Sequence, residues 1–84
     1  MQNSDLPFAA LRRILLDLGF EEKGLPSSHL AYYHQASDTL VLLRAYQPAD
    51  LVSVPDVIAV RSQLDTHGVL SADAFDARLR KASA

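Results

Sequence analysis

An α+β sandwich, with helices laid over one face of a small antiparallel sheet, follows from two features of this 84-residue sequence. Apolar residues recur at helical spacing near the N-terminus and twice more in the last third, while the middle carries a hairpin pattern of two strand-like runs around a polar connection. The four prolines fall near the expected element boundaries. The predicted order is helix, three strands, helix, helix, an arrangement that leaves the second face of the sheet open.

The first helix is predicted from Asp5 to Leu18. Ser4 or Asp5 can cap it, Pro7 is tolerable in its first turn, and Leu11, Ile14, Leu15 and Leu18 form one face. Gly19 stops it, Phe20 to Lys23 form a short strand, and Gly24-Leu25-Pro26-Ser27 reads as a turn. Leu30 to His34 and Thr39 to Arg44 are the arms of the hairpin, joined by Gln35-Ala36-Ser37-Asp38. Side chains alternate along a strand, so Leu30, Tyr32 and His34 share one face while His29, Ala31 and Tyr33 share the other. Leu40-Val41-Leu42-Leu43 is apolar throughout, as expected of a strand covered on both sides.

Ser53 caps the second helix, with Asp56 at the capping-box position, Pro55 in the first turn and Val52 stapled to Val57. Val57, Val60 and Leu64 form its buried stripe, and Gly68 ends it in a left-handed conformation. Ser71 caps the third helix, Leu70 staples to Phe75, and Leu79 continues the apolar face.

One domain covering residues 1–84 is expected, since a chain of this size buries only about 60–65% of its unfolded surface and has no room for two cores. No apolar run approaches the roughly 18 residues that a membrane span requires. Arg12, Arg13 and Asp17 interrupt any signal-peptide-like segment, so the expected location is the cytoplasm, and the absence of cysteine excludes disulfides and thiolate metal sites. The net charge of −2 speaks against a broad phosphate-gripping surface. His29 and His34 are five residues apart on one strand and face opposite ways, so they cannot share a metal. His67, just before Gly68, suits the negative end of a helix dipole. Ser27 and Ser28 adjoin His29 and diverge from it on an extended chain, and neither a GxSxG elbow nor a glycine-rich phosphate loop is present. No metal and no cofactor is therefore expected.

What remains is one histidine, two neighbouring tyrosines and a few cations. Such a set suits RNA cleavage by the RNA's own 2′-hydroxyl, in which a histidine moves protons and a nearby Arg or Lys stabilises charge on the phosphate. Tyr33, on the same face as His29, can stack on a base. Composition and spacing alone favour the plainer reading, in which His29 is a polar strand-edge residue and Tyr32 and Tyr33 are half-buried strand formers.

A helix ending in Leu18-Gly19-Phe20, a short strand, then Ser27-Ser28-His29 with Tyr32 resembles the HicA, or YcfA-like, family of toxin–antitoxin ribonucleases. Val57-Ile58-Ala59-Val60-Arg61-Ser62-Gln63-Leu64, followed by Gly68-Val69-Leu70-Ser71 and Phe75, is similar to the family's second helix, its turn and its short closing helix. The resemblance covers nearly the whole chain. It implies an αβββα fold like that of double-stranded-RNA-binding domains with a short extra C-terminal helix, metal-independent mRNA cleavage, and a HicB-like antitoxin as partner. His29 would be the catalytic residue, with Ser28, Tyr33, Lys23 and Arg44 in contact with RNA. The chain departs from the family pattern at Ser27, where glycine is preferred, at Arg44-Ala45-Tyr46-Gln47-Pro48, where Pro-x-His is absent, and in its slight acidity.

Those departures support a second reading, a catalytically inactive interaction or RNA-binding module acting through the open sheet face. Val41 and Leu43, assigned to that face, then need a cover: a homodimer, an antitoxin-like partner or a further part of the same chain.

Overall fold

The computed structural model describes residues 3–26 and 29–82. The chain runs β1 (Asn3–Pro7), α1 (Phe8–Asp17), β2 (Glu21–Gly24), β3 (His29–His34), a single 3₁₀ turn (Gln35–Ser37), β4 (Thr39–Arg44), β5 (Leu51–Ser53), α2 (Val54–Thr66) and α3 (Ala72–Ala82). The architecture is α+β: an antiparallel sheet of order β2-β3-β4, three helices, and a separate antiparallel ribbon of β1 and β5. No helix among the described residues is long and apolar enough to cross a membrane.

The ribbon corrects the expected start of the first helix. Ser4 and Asp5 lie within β1, Pro7 holds extended backbone with no capping side chain, and α1 begins at Phe8. Two backbone carbonyls replace the missing cap: Phe8 N–H donates to Asp50 C=O at 2.7 Å and Ala9 N–H to Pro48 C=O at 3.0 Å. The pairing of Asn3 with Ser53 and Pro7 with Leu51 brings together segments far apart in sequence, which local periodicity does not report, and it buries Leu6 beside Val52. The far end of α1 follows expectation. Gly19 sits at φ +98°, where a Cβ is strained, and Phe20 N–H reaches back to Leu15 C=O at 3.0 Å.

In the three-stranded sheet Glu22, Tyr32 and Val41 form one cross-strand row and Gly24, Leu30 and Leu43 the next. Tyr32, Val41 and Leu43 join Phe8, Leu11, Leu15, Phe20, Val60, Leu64 and Phe75 in one core. This places Val41 and Leu43, at 1% and 3% exposure, beneath the helices and not on the open face as expected; Leu40 and Leu42, at 49% and 55%, occupy that face instead. The cause is register. Val41 stands opposite Tyr32 and Leu43 opposite Leu30, so each must point the same way as its partner, and β4 is covered on one side only.

Polar contacts pin the layers together. Arg12 of α1 forks onto Glu22 of β2, with Nε and Nη2 at 2.8 and 3.2 Å, and the buried Tyr32 hydroxyl donates to the same carboxylate. Arg61 of α2 forks onto Asp76 of α3 at 2.9 and 3.1 Å. Gln63 of α2 donates through Nε2 to the Leu40 carbonyl at 3.1 Å, on the outer edge of β4. Ser53 caps α2 as expected, accepting from Asp56 N–H at 3.4 Å, but the reciprocal arm of the box runs through a tyrosine. Ser53 N–H donates to the Tyr46 hydroxyl oxygen at 3.2 Å, and that hydroxyl donates to Asp56. Ser71 Oγ accepts from Ala74 N–H at 3.2 Å at the start of α3, and Gly68, at φ +71°, separates α2 from it.

The Glu22 carboxyl is held below the usual carboxylate range, first by its hydrogen bonds from Arg12 and then by that from Tyr32. A depressed folded-state value contributes stability that is full above the unfolded value, about 4.3, and that disappears as pH falls through the folded one. Glu22→Gln is therefore expected to cost on the order of 1 kcal/mol near neutral pH, with the gap from wild type narrowing as the pH falls below the unfolded value of about 4.3. Urea unfolding across that range checks it, and a gap independent of pH would refute the pairing.

Candidate functional site

The open face of the sheet is a small grid fixed by the two ladders. One row is Glu21, Tyr33 and Leu40; the next is Lys23, Ala31 and Leu42; in the last, His29 stands directly opposite Arg44. Leu25 extends that last row, its N–H donating to the His29 carbonyl at 3.2 Å. His29 is exposed, as the strand parity predicts, and Lys23 sits one diagonal step away on the opposite side from Arg44, within about 7–8 Å between backbones. An imidazole reachable by solvent between an ammonium and a guanidinium on adjacent strands has the elements of proton transfer beside a phosphate.

Arg44 does not serve this face alone. Its Nε lies 3.7 Å from the Asp56 carboxylate and its guanidinium carbon 6.0 Å from the centre of the Tyr46 ring, which draws its charge toward the start of α2. Tyr33 stands four residues from His29, about 13 Å along the strand, with Ala31 between them on the face. Tyr33 is 37% exposed and its hydroxyl donates to Asp38 Oδ1 at 2.8 Å, an anchor that fixes how the ring lies. Asp38 itself occupies the left-handed region at φ 52° at the end of the 3₁₀ turn. Ser28 and Ser27 lie outside the described residues.

His34 faces the core side of β3. Its ring packs 5.0 Å from Phe20, and its Nδ1 lies 2.7 Å from Ser37 Oγ, which in turn lies 2.6 Å from the hydroxyl of the buried Thr39. His29 and His34 thus sit on opposite faces, and no group of three or more metal-ligating side chains converges among the described residues. His67 closes α2 at the surface, its backbone N–H bonded to Gln63 C=O at 3.0 Å.

Three residues of this face were not singled out from the sequence: Glu21, Leu40 and Leu42. A signal for them exists. A four-residue connection pairs His34 with Thr39, and counting outward from that pair sets His29 against Arg44 and Tyr33 against Leu40. Glu21, Lys23, Ala31, Tyr33 and Leu40 together line a hollow of about 130 Å³. No protein-family model matches this chain, nor does any curated protein or any solved structure.

The Tyr33 phenol is pushed above its ordinary value, chiefly because its proton is held by Asp38. Asp38→Asn keeps a side chain that tolerates the left-handed backbone and is expected to lower the Tyr33 titration midpoint toward about 10. Ultraviolet difference titration reads the change; an unmoved midpoint would show that Asp38 does not anchor the ring.

Proposed function

We propose that this chain is a HicA-like toxin of the double-stranded-RNA-binding-domain type, a metal-independent endoribonuclease that cleaves mRNA in the cytoplasm and is held in check by a HicB-like antitoxin. The supporting observation is the exposed His29 in register with Arg44 and diagonal to Lys23 on the uncovered face of the sheet. Apart from the added β1–β5 ribbon, the order α1, β2, β3, β4, α2, α3 supports it too, because this is the element order that the resemblance implies. In the mechanism His29 takes the proton of the 2′-hydroxyl as its oxygen attacks the adjacent phosphorus, the departing 5′-oxygen takes a proton from water, and His29 then returns its own proton to solvent. The products are a 2′,3′-cyclic phosphate and a 5′-hydroxyl end. Lys23 and Arg44 stabilise charge on the phosphate, and Tyr33 stacks on a base.

His29→Ala is expected to reduce cleavage at least about 100-fold, the lower range for loss of a general acid–base group. Growth of cells expressing wild type or variant, with RNA integrity followed in parallel, checks it. Equal toxicity, or equal harmlessness, defeats the nuclease reading.

The exposed pair Leu40 and Leu42 supports a second reading, an inactive module that binds a protein through the same face. On that reading a Leu40→Lys, Leu42→Lys double variant sediments as a monomer where wild type forms a dimer or a complex with its antitoxin. Monomeric sedimentation of wild type, alone and with the antitoxin, removes the idea.

A further inference from the structure

The hollow on the open face has a chemistry of its own. Ala31 is its floor, Tyr33 and Leu40 give it apolar wall, and Glu21 and Lys23 supply its only charges. At about 130 Å³ it is well short of the roughly 300–1,000 Å³ of pockets that enclose drug-sized ligands, and is of a size for one planar ring system. Glu21 also needs a reason to be there. A carboxylate beside a phosphate-binding row repels the backbone of any nucleic acid, and no side-chain hydrogen bond or ion pair engages Glu21 among the described residues.

We infer that this hollow is a guanine-reading subsite, in which Tyr33 stacks on the base, Glu21 accepts from its N1–H and N2–H, and Lys23 gives one of its three N–H donors to O6, leaving the phosphate chiefly to Arg44. The inference rests on the reading of the face as an RNA site and names the base that site selects. An ionised carboxylate only accepts hydrogen bonds, and it accepts two side by side. Guanine alone among the four RNA bases presents two adjacent donors on its Watson–Crick edge. Adenine and cytosine each place an acceptor next to their amino group, and uracil flanks its single N–H with two carbonyls. Guanine's third edge atom, O6, is an acceptor next to N1–H, which matches an ammonium next to a carboxylate; Glu21 and Lys23 are neighbours on one face of β2, two residues and about 7 Å apart. The Tyr33 ring is already fixed by its bond to Asp38, so little freedom is lost on stacking. Ala31 is two residues from His29, so a base seated over it has its own sugar and phosphate within a nucleotide's reach of the imidazole.

The test is titration of the full chain with 3′-GMP, 3′-AMP, 3′-CMP and 3′-UMP, followed by backbone amide chemical shifts in wild type, His29→Ala and Glu21→Gln. These mononucleotides hold no bond for the enzyme to cut, so the readout is independent of catalysis. GMP is expected to shift Glu21, Lys23, Ala31, Tyr33 and Leu40 and to bind at least about tenfold more tightly than the other three. His29→Ala is expected to keep that preference and Glu21→Gln to lose it while retaining the amide spectrum of the folded chain. Equal binding of all four nucleotides, shifts confined to other residues, or a guanine preference that survives Glu21→Gln overturns the subsite, even if RNA is cleaved. Selective GMP binding by a chain that leaves RNA intact upholds the subsite and fells the nuclease reading alone.

Discussion

A sheet of three strands in so short a chain has apolar cover for one face only, and that constraint decides most of what the molecule presents to solvent. Once Tyr32 is committed to the core, the period of two sends its neighbours on β3 outward, and register carries the same choice to β2 and β4. Tyr32 is committed twice over. Its ring is buried among Leu11, Leu15, Val41 and the rest of the core, and its hydroxyl is satisfied by a carboxylate that Arg12 of α1 also holds. A slip by one residue would strand that hydroxyl and reverse both faces, so the exposure of His29 is a consequence of how Tyr32 is buried.

The two charge networks at the ends of the sheet act differently on the site. Arg12, Glu22 and Tyr32 form a closed set on the covered side and take no part in the open one. Arg44 bridges both, facing His29 through the ladder while its guanidinium lies near Asp56 and Tyr46, residues that also complete the cap of α2. A bound phosphate has to compete with Asp56 for that cation. Arg44 shares that compromise with Arg12, Arg13 and Arg61, each of which lies within 4 Å of a carboxylate in a chain with a net charge of −2.

Much of this was legible in the sequence, and the misses have distinct physical origins. The hairpin, the helix stop at Gly19, the left-handed Gly68, the caps of α2 and α3 and the outward His29 are local, each encoded within a few residues, and each was readable. The β1–β5 ribbon was not, because it joins segments more than forty residues apart and because Ser4, Asp5 and Pro7 also spell a good helix start. The faces of β4 are hidden in the sequence for another reason. Four consecutive apolar residues carry no alternation, so only the register with β3 shows that Leu40 and Leu42 are the exposed pair. Of the site, the cations and aromatics were visible as residue types, whereas Glu21 gained meaning only when the ladder set it beside Tyr33.

Gln63 draws a quieter boundary. Strand β4 is one of the two outer members of the sheet and carries two solvent-facing leucines, a combination that invites a passing extended chain to add itself to the edge. The amide of Gln63 reaches from α2 to occupy the Leu40 carbonyl, removing one of the acceptors such an intruder would have to use. At that point of the rim an added strand loses a partner, whereas on the broad side of the sheet side chains rather than backbone do the choosing.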